Sequence, residues 1–250
     1  MHRCASLHAF AGLVALVALF LASCSPKPAA PVVQGTLFFS QDDNANGLYV
    51  LDMDSGEATL VGAGITNVTS VTVGLAGRGV DDPLVGSTWS TLHDFAQDGS
   101  GTTQFSTVEA EGLAYDRANN RIYAIWNGAF RSVSPVTGAV IATLTGPGFD
   151  LEGLAADADA GVIYAIGDNT TNLFVYEIAS DTWGVVGDTG HEWDQSGLAF
   201  DEVSGMLYAV GNDDDPSGLY RIDPSDASIE LVGDTGLTTA EGGLAWVPGE

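Results

Sequence analysis

The stretch DLEGLAADADAGVIYAIGDN, residues 150–169, decides the fold because the chain writes it more than once. Residues 109–127 read EAEGLAYDRANNRIYAIWN and residues 194–212 read DQSGLAFDEVSGMLYAVGN. The triplet Gly-Leu-Ala begins at 74, 112, 153, 197 and 243, so successive starts lie 38, 41, 44 and 46 residues apart. A period of that size belongs to a propeller blade. Within one unit the order is GLAFD, a turn, MLYAVG, a polar loop, GLYRIDP, a turn and SIELVGDTG. Each piece is a short run rich in Val, Ile, Leu and Tyr, closed by Gly, Asp, Asn or Pro, which is how a strand reads. Four strands per unit make one blade.

The ends complete the count. Residues 36–62, TLFFSQDDNANGLYVLDMDSGEATLVG, supply strands two to four of a unit, and GGLAWVPGE at 242–250 supplies a first strand with nothing after it. Joined, they form one blade and remove the open edges. The expectation is an all-β propeller of five four-stranded blades over residues 35–250, closed by the C-terminal strand. A two-sheet β-sandwich is the alternative.

Units such as GLAYDRANNRIYAIWNGAFRSVSPVTGAVIATLTG, from residue 112, resemble the bacterial propeller repeats of the YVTN and NHL-like type. The Gly-His and Trp-Asp marks of WD40 units are missing. What the resemblance implies is structural, because such repeats serve binding proteins and enzymes alike.

The first residues concern location. His2 and Arg3 precede an apolar run from Ala9 to Ala22, too short for a bilayer span of about 20 residues and suited to a secretory signal over residues 1–23. Leu21-Ala22-Ser23-Cys24 resembles the bacterial lipobox, which implies a lipid-bearing Cys24. Ser25 in place of Asp resembles the pattern for the outer membrane, so a lipid-anchored place in the cell envelope is expected. Residues 24–34, with three prolines after the Cys, read as a tether. Cys4 lies within the signal, so the mature chain has no second Cys for a disulfide, a thiolate nucleophile or a zinc-thiolate site.

Acidic residues number 33 against seven basic ones, a formal charge of −26. That repels nucleic acid and anionic headgroups and favours cations or basic surfaces as partners. In a four-stranded blade, the loop between strands two and three shares a face with the link to the next blade. Acids gather there, among them Glu111, Asp150, Glu152, Asp168 and Asp194, whereas Arg78, Arg117 and Arg121 fall at the opposite end. Glu111 and Glu152 each precede a Gly-Leu-Ala strand, which points both toward the axis. Clustered hard oxygens suit Ca²⁺. Asp42-x-Asn44-x-Asn46-Gly47 and Asp213-x-Asp215-x-Ser217-Gly218 match half of a calcium-loop pattern, but Met53 and Pro224 stand where the bidentate Glu belongs.

Trp126 and Trp193, with Trp89, are expected on the same face, where Trp beside carboxylates suits a glycan. His191, in GHEWDQSG, is the histidine best placed to act as a base. Two functions follow. One is a monomeric, non-catalytic scaffold that binds a protein, glycan or cation through the acidic face; the other is a calcium-assisted glycosidase or lactonase. A plugged axis favours the first and an axial cavity between spaced carboxylates the second.

Overall fold

The computed structural model describes residues 34–41, 47–61, 73–194, 196–211, 217–237 and 242–249. They belong to one compact unit, Val33–Glu250. The strands in chain order are β1 (Thr36–Gln41), β2 (Leu48–Leu51), β3 (Ala58–Leu60), β4 (Leu75–Ala76), β5 (Leu84–Ser87), β6 (Leu92–Phe95) and β7 (Thr102–Ser106). There follow β8 (Gly112–Asp116), β9 (Arg121–Trp126), β10 (Ala129–Val133), β11 (Val140–Leu144), β12 (Gly153–Asp157), β13 (Val162–Ile166), β14 (Asn172–Glu177) and β15 (Thr182–Asp188). The last are β16 (Leu198–Asp201), β17 (Met206–Gly211), β18 (Gly218–Ile222), β19 (Ile229–Asp234) and β20 (Gly242–Val247).

They form five four-stranded antiparallel sheets: β20-β1-β2-β3, then β4 to β7, β8 to β11, β12 to β15 and β16 to β19. These are blades 1 to 5. The fold is the expected five-bladed propeller, and the sandwich is excluded. The C-terminal strand closes it, because β20 lies against β1 from Thr36↔Val247 to Gln41↔Gly242.

Local chemistry explains the hairpins. The Asp that ends each GLAxD strand caps its own turn: Asp116 accepts the Ala118 N–H, Asp157 that of Ala160 and Asp201 that of Val203, each at 2.9 Å. These repeated aspartates are therefore turn caps on the face away from the acidic loops. Alternation along the strands does the packing. Five buried clusters form, each shared between neighbouring blades, as when Tyr123 and Phe130 of blade 3 meet Leu154 and Ile163 of blade 4.

Around the axis the constraint is steric. A Cβ added at Gly74 would overlap the Glu111 carbonyl, at Gly112 the Glu152 carbonyl and at Gly153 the Ser196 carbonyl. One at Gly197 would strike the backbone at Gly242–Leu244, and one at Gly243 that of Gly74 and Leu75. The five repeat glycines thus form a collar in which each blade touches the next backbone to backbone. Below the collar, Leu75, Leu113, Leu154, Leu198, Leu244 and the alanines that follow them fill the axis, leaving a cavity of about 50 Å³. Small-molecule sites run to about 300 Å³ or more, so among the described residues this stretch of the axis leaves too little room for one.

A second ring lies further out, where each outer hairpin docks on the preceding blade. Ser106 Oγ donates to the Gly138 carbonyl at 2.7 Å, Trp183 Nε1 to that of Thr145 at 2.8 Å, and Gly56 packs on Gly233.

The collar yields a direct expectation. Gly112→Ala has no direction in which to relax, since its methyl meets main chain, and should cost roughly 3 kcal/mol or more. Gly101→Ala, with nothing within 4 Å of the new methyl, should be close to neutral. Urea denaturation of the two variants beside the wild type checks this.

Candidate functional site: the acidic face

Strand direction sorts the loops. The innermost strands β4, β8, β12, β16 and β20 all run from the collar to the capped turns, so every link between blades arrives at the collar end. Glu111 and Glu152 stand one residue before the collar glycines and are held there by extra ladder bonds. The Glu111 N–H donates to the Ile125 carbonyl at 2.8 Å and the Glu152 N–H to that of Ile166 at 3.0 Å. Their carbonyls are the ones that the neighbouring collar glycines touch. The backbones of both glutamates are therefore pinned, and only their side chains choose partners.

Those side chains do not meet in one axial pair. Glu152 of the link between blades 3 and 4 joins Asp168, from the β13–β14 loop, and Asp194, from the link to blade 5. One carboxylate oxygen of each lies within 4.8 Å of the others. Ca²⁺–O bonds of about 2.3–2.6 Å put opposed ligands roughly 5 Å apart, whereas Mg²⁺ at about 2.1 Å brings them to roughly 4 Å. Separations within 4.8 Å admit Ca²⁺, and its tolerance of irregular oxygen geometry suits three carboxylates brought in from separate loops.

Glu111 belongs to a second group. The Asn127 N–H faces its carboxyl, and Asp150 lies against it. Glu111 Oε2 and Asp150 Oδ1 are both cut off from solvent, and neither accepts a hydrogen bond from an N–H or a hydroxyl. A proton retained on Glu111 lets it lie against Asp150 without two like charges in contact. Burial, then the Asp150 charge, pushes the Glu111 carboxyl up to about 7, against the pull of the Asn127 N–H. The two glutamates thus belong to a run of carboxylates across blades 3 to 5, in which Asp168 lies beside Glu152 and also raises Glu111.

The five described arginines stand apart from these groups. Arg78, Arg117 and Arg121 sit at the capped-turn end, and Arg131 and Arg221 lie within β10 and β18.

The aromatic residues divide. Trp193 is fully buried, its Nε1 donating to Thr189 Oγ1 at 3.0 Å. Its ring packs edge-on to Tyr220 and to His191 at 5.7 and 4.5 Å, so it cannot stack on a glycan as expected. His191 is wedged between the two rings with Nε2 buried against Gly211 and without a hydrogen-bond partner among the described residues. Trp126 does lie on the face, half-buried and edge-on to Trp89 at 5.3 Å. Trp89 takes a positive φ of 60°, rare for a bulky residue. Cys24, Asp42, Asn44, Asn46, Asp213 and Asp215 lie outside the described residues.

Asp150 and Asp168 are the members that spacing alone did not single out. Asp150 had a signal: an acid stands two residues before the Glu or Ser that precedes Gly-Leu-Ala in three copies, as Glu109, Asp150 and Asp194. Asp168 had less, since the equivalent places in its neighbours carry Asn127 and Asn212.

No protein-family model matches the chain, and no curated protein does. Among solved structures, a chain in the crystal structure of a nidogen/laminin complex is similar, with a TM-score of 0.60 at 15% identity, over 84% of this chain and 81% of that one. At that identity the likeness concerns the fold alone.

The Glu111 carboxyl makes stability depend on pH in a stated direction. Its ordinary value is 4.5 and the folded value is about 7, so between those limits the folded chain holds a proton that the unfolded chain releases. Stability therefore rises as pH falls through 7 and is lost as pH climbs back. Discounted for partial exposure, the gain is of the order of 1 kcal/mol, about 2–4 °C. With EDTA present, the melting temperature of the wild type relative to Glu111→Gln should rise from about pH 8 to about pH 5. A constant difference between the two proteins across that range would refute the retained proton on Glu111.

Proposed function

We propose that the chain is a lipid-anchored, extracytoplasmic propeller that works as a non-catalytic binding scaffold. Its acidic face holds Ca²⁺ at Glu152, Asp168 and Asp194 and engages a protein or glycan partner there. Lipidation at Cys24 would fix the body to the cell envelope, since the apolar run before it is too short to span a bilayer by itself.

The observation that carries the binding reading is the filled axis beneath the carboxylates. With about 50 Å³ left between the Leu and Ala side chains, the described residues offer a substrate no chamber at that level of the axis in which to be surrounded and desolvated. What remains is a rigid surface of loops set on a pinned ring, and such surfaces bind. The overall charge supports a cationic occupant, since ions are drawn to −26 from a distance. One observation favours the hydrolase reading instead. A carboxyl pushed up to about 7 is equipped as a general acid, and Glu111, lying against Asp150, is so placed.

Calorimetric titration of the folded body with Ca²⁺ should give one site, weakened at least tenfold for Mg²⁺ and abolished in the Glu152→Gln, Asp168→Asn double variant. Absence of heat, or heat that the double variant retains, would refute the cation site. Turnover of chromogenic glycosides or lactones that disappears in Glu111→Gln would transfer the assignment to the hydrolase.

A further inference from the structure

We infer that the acidic face points away from the membrane, so that its partner arrives from the solvent side and not from the bilayer that carries the anchor. The inference rests on the lipid-anchored reading above and adds an orientation to it.

Strand direction supplies the first half of the argument. The chain enters the propeller at Gln34, and β1 begins at Thr36, paired with Val247 at the end of β20. Because β20 runs from the collar toward the capped turns, Gln34 lies at the capped-turn end. β1 then climbs to Gln41, opposite Gly242 at the collar end. The carboxylates of Glu111, Asp150, Glu152, Asp168 and Asp194 are all in collar-end loops. Attachment point and acidic loops therefore occupy opposite ends of the same strands.

Length supplies the second half. From Cys24 to Gln34 are ten residues, which at about 3.1 Å each in an extended, proline-rich form reach roughly 31 Å. A six-residue strand such as β1 is about 20 Å deep. Outside β1 lie two more strands of its blade, β2 and β3, about 10 Å at the usual spacing. Carrying the anchor out past the rim and up to the acidic face thus takes about 30 Å before any loop or side chain is counted. The tether would have to be taut to its limit. Toward the capped-turn face no such detour is needed.

The chain offers a clean way to test this, since Cys4 lies in the signal and Cys24 is taken by lipid, leaving an introduced thiol alone. Ala118→Cys and Ser90→Cys place a fluorophore on exposed residues of the capped-turn and collar ends respectively. The lipidated full-length variants would be put into phosphatidylethanolamine–phosphatidylglycerol vesicles carrying an acceptor dye on a headgroup. Flotation with the vesicles comes first, against a Cys24→Ala control. A chain that floats only with Cys24 and transfers energy at least twofold more efficiently from position 118 than from position 90 bears out the orientation. A chain that floats but transfers equally from both, or better from position 90, overturns it while leaving the anchor intact. A chain that does not float, or floats without Cys24, overturns the anchored reading itself.

Discussion

Closure of the ring at five blades depends on contact between main chains at the axis. Blades that meet through side chains need room at the centre, and five cannot provide it; here Gly74, Gly112, Gly153, Gly197 and Gly243 remove the side chain where the inner strands converge. The Leu and Ala that follow each glycine then fill what is left of the axis. Glycine has extra backbone freedom in the unfolded state, and removing it on folding costs about 0.5–1 kcal/mol per residue against Ala. That cost is small beside the clash of a methyl with main chain.

The same contact builds the acidic face. A collar glycine touches the carbonyl of the residue before the next collar glycine, and in two copies that residue is a glutamate. Glu111 and Glu152 are thereby fixed in place by packing that has nothing to do with charge. Their carboxyls end among Asp150, Asp168 and Asp194, which arrive from the links and loops of adjacent blades. Holding like charges this close is unfavourable, and the strain is relieved at Glu111 by a retained proton. The rigid ring supplies the stability that lets the arrangement persist, through five interblade cores and the outer hairpin contacts.

The fold was legible because its determinants are periodic. Gly-Leu-Ala marks every inner strand, and the split unit at the two ends announces closure. The site was legible only in part, since it is the departures from the repeat that create it. Glu111 and Glu152 occupy equivalent positions, yet Glu111 lies against Asp150 and Glu152 beside Asp168 and Asp194, because blade 4 carries Asp168 at the place that Asn127 and Asn212 hold in its neighbours. Spacing gave the position of each carboxylate along the chain but not the direction of its side chain. Trp193 shows the same limit from the other side: it is placed on the acidic end by the repeat and drawn into the core by its contacts with Thr189, His191 and Tyr220.

Cation binding across blades 3 to 5, at one end of the rigid ring, is the proposal on which the functional reading turns. Amide hydrogen exchange of the folded chain with and without Ca²⁺ tests it most directly, because it reports position as well as binding. The account predicts added protection in the links around residues 150–152 and 189–194 and in the loop around residue 168, with the capped turns at 116–120, 157–161 and 201–205 unchanged. Protection confined to the capped turns, or no change anywhere at saturating Ca²⁺, would contradict it.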